Sequence, residues 1–233
     1  MSKAHGHSMD DYLEAIYTLV SPIGVYEPAK VPAAIAARVA EVLDVSRTAV
    51  GEMLNRLTSD GLVERDGRAL VLTAAGTARA EQVVRRNRIV ERFLADFLGY
   101  DSADAHIHAA RVGAGFTDDM IERLHEKLGF PERCPHGWPV APAQDREEGR
   151  RLVALADLEA GDSGEIVRLT EQDGGLLSWF EAEGLAPGAK VAVRDVQPAA
   201  GHLRIDVGGS EQFIADRAAR GLYVRPDRPA ADK

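Results

Sequence analysis

The most constraining stretch of this chain runs from Pro32 to Thr73, where two helices and a hairpin follow one another with almost no slack. Pro32 suits the first helical position of PAAIAARVAEVL, whose Ile35, Val39, Val42 and Leu43 share one face. Asp44-Val45 makes a short turn. Ser46 is an N-cap for RTAVGEMLNRL, in which Val50, Met53, Leu54 and Leu57 face inward, and Asp60-Gly61 stops that helix. LVERDGRALVLT then reads as two short strands about an Asp66-Gly67 tip. Upstream, Met9, Leu13, Ile16, Tyr17 and Val20 recur at helical spacing, and SPIGVYEPAK breaks the pattern. A helix, a two-helix turn and a hairpin in this order form a winged helix-turn-helix.

The rest of the chain divides by periodicity. Residues 74–98 read as one long helix with more apolar surface than a wing domain uses, which points to packing against later helices or a second subunit. A further helical stretch is expected over 103–127. GFPERCPHGWPVAPAQ carries four prolines and reads as an extended surface segment at a domain boundary. After Gly149 the pattern changes to LVALADL, GEIVRL, AKVAVRDV, HLRIDV, EQFIA and GLYVRP, six short strands around one helix, LLSWFEAEGL. The expected fold class is therefore α+β: a winged helix-turn-helix over 1–73, a helical domain over 74–143, a small β-barrel over 150–226 and a disordered tail over 227–233.

No stretch approaches the roughly 18 apolar residues that cross a bilayer, and the first twelve residues carry no apolar core of a secretory signal. The single cysteine, Cys134, excludes an internal disulfide framework and fits a reducing cytoplasm. The net charge of -9 is unevenly spread: between Lys30 and Arg92 eleven Lys/Arg face eight Asp/Glu, so a mildly basic module sits on an acidic remainder. DNA contact at a defined site suits that distribution, because affinity comes from cations placed against phosphates.

In a helix-turn-helix the third helix presents short polar side chains to base edges in the major groove. Here those positions are Ser46, Arg47, Thr48, Glu52 and Asn55, with Arg65 and Arg68 at the wing tip against phosphate. Glu52 can accept from cytosine or pair with Arg56 four residues on. Arg85, Arg86 and Arg88 on the long helix are a second basic cluster, read equally as phosphate contacts, a dimer-facing patch or a solvated face. The chain carries no Ser/His/Asp set, phosphate loop or metal-hydrolase spacing, so an enzyme is not expected.

Several segments resemble one family. SMDDYLEAIYTL, LDVSRTAVGEMLNRLTSDGLV and VVRRNRIVERFLADFLGYD are similar to the diphtheria-toxin-repressor-like family of metal-dependent transcriptional repressors. CPHGWPV resembles the loop leading out of that family's dimerisation domain. LADLEAGDSGEIVRL and LLSWFEAEGLAPGAKVAV resemble its C-terminal SH3-like domain, shared with ferrous-iron transport accessory proteins. The resemblance implies a cytoplasmic homodimer that binds double-stranded DNA at an inverted-repeat operator, with Fe(II) or Mn(II) as corepressor.

Carried over residue by residue, the resemblance gives an incomplete metal set. Asp11 and Glu14 match the first-helix carboxylates of the manganese type, and Glu91 and His106 keep two ligand positions. Glu165 keeps a ligand in the SH3-like domain, where Arg168 stands for the family's Gln. Asn87 stands for a His, and Ala110, Gly113 and Ala114 stand for the Cys/Glu, Glu and His at the heart of the primary site. None of these last three side chains can donate to a metal. His106 and His108 are two apart and face different ways, Cys134-Pro135-His136 reads as a structural loop, and His5 and His7 as a tail. The expectation is a dimeric repressor whose usual primary site is lost and whose DNA binding responds weakly or not at all to Mn(II) and Fe(II). Two alternatives remain: a metal-responsive repressor with a relocated or ancillary-type site, and a protein-interaction module that does not bind DNA.

Overall fold

The computed structural model describes residues 7–20, 35–66, 69–171 and 174–227. The segment with Pro32, the hairpin-tip residues Gly67 and Arg68, and the tail from 228 lie outside the described residues. Contacts divide the chain into two units that part after Arg86, within a long helix.

The N-terminal unit holds α1 (Met9–Val20), α2 (Ile35–Val42), α3 (Arg47–Ser59), the antiparallel pair β1 (Val63–Asp66) and β2 (Ala69–Leu72), and the start of α4 (Ala74–Leu98). Leu13, Ile16, Val39, Val50, Leu57 and Val63 form its core. The turn between α2 and α3 places Asp44 at φ 50, a left-handed conformation that aspartate tolerates better than most residues. Thr73 joins the hairpin to α4: its hydroxyl donates to Gly61 O (2.7 Å) and accepts from Gly76 N (3.0 Å). Gly76 has no alternative, since a Cβ there would lie 1.8 Å from Leu62 O.

The C-terminal unit adds α5 (Ser102–Gly113), α6 (Asp118–Lys127), the short α7 (Asp145–Gly149) and a six-stranded antiparallel sheet. Its strands are β3 (Val153–Ala154), β4 (Ser163–Leu169), β5 (Lys190–Gln197), β6 (His202–Val207), β7 (Ser210–Ala215) and β8 (Leu222–Pro226), in the order β3-β8-β4-β5-β6-β7. α8 (Gly174–Ala182) and α9 (Asp216–Ala219) complete it. Phe180 and Leu177 of α8 are fully buried against Ile166, Val193, Leu203, Ile205 and Val224 of the strands. Truncating a ring so placed, as in Phe180→Ala, costs about 3–5 kcal/mol.

Two expectations change here. The stretch 103–127 is two helices, because Gly113 and Gly115 weaken the first and Thr117 caps a second by accepting from Met120 N (3.3 Å). The proline-rich segment is not an extended surface segment. Cys134 and all residues from His136 to Val140 are buried. Gly137 N donates to Cys134 O (3.0 Å) and Cys134 N to Trp138 O (2.9 Å), which closes a tight loop. That loop lies on β4 through Leu169 N, which donates to His136 O (2.9 Å). Its approach is close enough to demand glycine: a Cβ on Gly137, at φ 85, would meet Val167 O at 1.9 Å.

Candidate metal centre and nucleic-acid surface

In the N-terminal unit, α3 is a groove-sized rod with its polar side outward. Ser46 Oγ accepts from Ala49 N (3.1 Å) as its N-cap, and Val50, Leu54 and Leu57 anchor its inner face. Ser46, Arg47, Thr48, Glu52, Asn55 and Arg56 are all exposed, as is Arg65 on β1. Arg68 lies outside the described residues. The Ser46 oxygen is already occupied as a cap, which leaves its O–H as the group free to donate.

The carboxylates of α1 are engaged otherwise. Asp11 Oδ2 accepts from Ser8 N (2.7 Å) while Ser8 Oγ accepts from Asp11 N (3.3 Å), a reciprocal capping box. His7 lies 3.4 Å from the same carboxylate. Asp10 accepts from Arg79 (2.9 Å) and Arg86 (3.0 Å) of α4. Glu14 stands half-buried on the same helix.

In the C-terminal unit, Glu91 on α4, His106 on α5, His136 in the loop and Glu171 just beyond β4 bring one ligand atom each to within 4.8 Å of the others. Glu91 Oε1 meets His106 Nδ1 at 2.8 Å, and His136 Nδ1 lies 3.4 Å from Glu91 Oε2 and 3.5 Å from Glu171 Oε1. The other ring nitrogen of His136 donates to Ser102 O (2.9 Å), which fixes the tautomer that turns Nδ1 toward the carboxylates. Cys134 Sγ stands at the edge of the group, 3.5 Å from Glu171 Oε1 and 3.8 Å from His136 Nδ1.

The electrostatics of this group belong to a charged cluster held out of water. Burial disfavours the Glu91 anion, yet the imidazoles of His136 and His106 outweigh it and hold Glu91 below the usual carboxylate range. Burial would likewise lower His106, but its bond to Glu91 raises its pKa to about 9. His136 is also raised, by Glu91 against the effect of burial. Burial, with Glu91 and Glu171 nearby, pushes the Cys134 thiol up to about 12. Glu91 is almost wholly buried and its Oε2 has no hydrogen-bond partner, an orphaned acceptor of the kind a cation satisfies. Two imidazoles and two carboxylates form a donor set that suits divalent manganese, iron, cobalt or zinc.

Of the residues expected from the sequence to hold metal, Glu91 and His106 meet here. Glu165 does not join them; its carboxylate pairs with Lys190 (2.9 Å) on the barrel surface. Asn87 is buried, and Ala110, Gly113 and Ala114 carry no donor side chain. His108 stacks edge-on against Tyr100. The sequence reading passed over His136 and Glu171. The signal that could have found them is the Cys-Pro-His-Gly run, whose glycine permits the turn that aims the imidazole inward.

The comparisons with known proteins cover both units. Residues 5–69 match the iron dependent repressor N-terminal DNA binding domain, 73–141 the iron dependent repressor metal binding and dimerisation domain, and 153–226 the FeoA domain. The iron-dependent repressor IdeR of Mycobacterium leprae is 33% identical over 188 residues, 75% of this chain and 81% of that protein. The chain belongs to the iron-dependent repressor family. The diphtheria toxin repressor of Corynebacterium efficiens is 32% identical over 228 residues, covering 91% of this chain and 93% of that one. A solved manganese-dependent transcriptional repressor complex with manganese superposes with a TM-score of 0.81 at 28% identity, over 94% of this chain and 99% of the other. For T. acidophilum IdeR the TM-score is 0.77 at 25% identity, over 96% and 100%. This repressor-family chain is thus mixed helix and sheet with a DNA-binding domain, a helical domain and an SH3-like domain. No described helix is long and apolar enough to cross a membrane.

Proposed function

We propose that this chain is a cytoplasmic, dimeric transcriptional repressor that reads a divalent metal at Glu91, His106, His136 and Glu171, with the family's primary position lost. One observation carries the reading: four ligand atoms lie within 4.8 Å around a buried Glu91 oxygen that has no hydrogen-bond partner. Ala110, Gly113 and Ala114 leave the usual centre without side-chain donors. This reading departs from the weak metal response that the sequence alone suggests, because the sequence alone did not bring His136 and Glu171 to the retained Glu91 and His106.

Each ligand comes from a different segment, so a bound ion would tie α4, α5, the loop and the end of β4 together. Waters or the Cys134 sulfur would complete its shell. Ser102 O holds His136 in its binding tautomer, and Glu91 and His136 are themselves buried. Such an ion shifts the protein only by the difference in its affinity for two arrangements. Exposed Phe97, Leu98, Ile107, Met120 and Phe130 on and after α4 to α6 supply apolar surface for self-association. A two-fold dimer presents two α3 helices to an inverted repeat, with Arg47, Thr48, Glu52 and Asn55 toward bases and Arg65 and Arg68 toward phosphates.

The test is a binding assay on DNA selected by the protein from a random library, with Mn(II) or Fe(II) and with chelator. Metal should tighten binding, His136→Ala should remove that gain, and Arg47→Glu should abolish binding in every condition. Equal affinity in metal and chelator overturns the metal reading. Indifference to Arg47→Glu overturns the DNA reading.

A further inference from the structure

The segments that bear three of the ligands meet a second time, in a layer that holds no ligand. Trp138, two residues after His136, has two guanidiniums over its ring: Arg88 Cζ is 5.3 Å from the ring centroid and Arg168 Cζ 4.6 Å. Arg88 precedes Glu91 by one helical turn, and Arg168 precedes Glu171 by three residues. We propose that Arg88, Trp138 and Arg168 are positioning residues that hold the metal ligands in register and thereby set the affinity of the centre.

The layer is fastened on every side. Arg88 forms a two-pronged pair with Asp145 (3.0 and 2.9 Å) and donates to Pro139 O (2.7 Å). Arg168, fully buried, donates through Nε to Glu148 (2.8 Å), while Glu148 also takes Arg133 and Arg225. Trp138 Nε1–H donates to Leu169 O (2.8 Å). Both cations lie within the roughly 6 Å at which a ring face attracts a charge, and the attraction grows when water is excluded. Arg168 Nη1 is buried with no hydrogen-bond partner, so the ring beneath the guanidinium supplies compensation that its neighbours do not. Residues one helical turn apart share a helix face, so fixing Arg88 fixes the direction of Glu91. A two-residue step in the tight loop ties His136 to Trp138 in the same way. Ligands already ordered in the metal-free protein leave less conformational entropy for the ion to remove.

This inference rests on the metal reading above, and the experiment separates the two. Mn(II) affinity is measured by calorimetry for the wild type, Arg168→Met, Trp138→Phe and Leu203→Ala, the last a barrel-core change outside the layer. Arg168→Met should weaken Mn(II) about 10- to 100-fold, Trp138→Phe less, and Leu203→Ala within about twofold. In a Trp179→Phe protein Trp138 is the one remaining tryptophan, and one equivalent of Zn(II) should shift its emission. No Mn(II) binding by the wild type removes the metal reading and this inference with it. Mn(II) binding that Arg168→Met leaves unchanged, or lowers no more than Leu203→Ala does, overturns the inference alone. An unmoved Trp138 emission at saturating Zn(II) does so as well, and that measurement stands even where Arg168→Met does not fold.

Discussion

Acidic side chains in the two units meet different partners, and the partner decides what the carboxylate can do. In the N-terminal unit Asp10 is gripped by Arg79 and Arg86, and Asp11 closes a cap with Ser8. A guanidinium does not give up its proton in a protein, so no cation can take its place by displacing a proton. In the C-terminal unit Glu91 is held by His106 and His136, whose imidazoles, unlike a guanidinium, can give up a proton to become metal ligands. The first arrangement leaves Asp10 in ion pairs whose cations cannot be deprotonated. The second is the cluster proposed above to exchange its protons for a divalent ion.

The largest test of that contrast removes the carboxylate itself. Glu91→Ala should lower metal affinity by on the order of a hundredfold or more, whereas Asp10→Ala should leave it unchanged; equal losses in calorimetry would erase the distinction. Next in size is the effect of pH. With His106 raised from 6.5 to about 9 and His136 raised as well, metal must displace protons, so affinity should climb as pH rises from 6.5 through 9. Proton release, read from titrations in buffers of differing ionisation enthalpy, should approach two per ion at pH 7. A raised histidine also stabilises the metal-free fold at low pH, an effect complete below 6.5 and lost as pH rises through about 9. The melting temperature of chelated protein should therefore fall across that window. A flat profile would show that the imidazoles are not held as described.

Smaller effects sharpen the other side of the comparison. Arg86→Met breaks a half-buried pair with Asp10 and should cost about 1–2 kcal/mol in denaturant unfolding, with no gain in metal affinity. Asp11→Ala removes one half of the capping box and should cost about 0.5–1 kcal/mol. Tightened metal binding in Arg86→Met would show that the arginine had been masking a site.

What could be read in advance was whatever is settled within a dozen residues. The α3 rod, the β1–β2 pair and the span of α4 followed from apolar spacing and caps, and five of the six barrel strands fell where alternation placed them. β3 shrank to Val153–Ala154 because the chain turns into a short 3-10 segment at Leu155. The break at Gly113 was hidden inside a helical pattern. The loop at 133–139 was misjudged because prolines mark exposed connections in general, and only its contact with β4 buries this one. The site divides along the same line. Glu91 and His106 were legible on helices through the family pattern, but His136 and Glu171 depend on contacts more than 30 residues apart in sequence. The pairing of β4 with β8 slips between Ile166 and Arg168. That irregularity leaves Ile166, Val167, Arg168 and Leu169 all buried, which alternation alone does not anticipate.

The contact of Gly137 with the carbonyl of Val167 carries a cost for the lineage as well as for the fold. One methyl group at that point, the smallest chemical addition a codon change can make there, would lift His136 and Trp138 away from the barrel together. On the function proposed above, a chain so altered would lose the gain in operator affinity that the ion brings, a derepressed state reached in a single step.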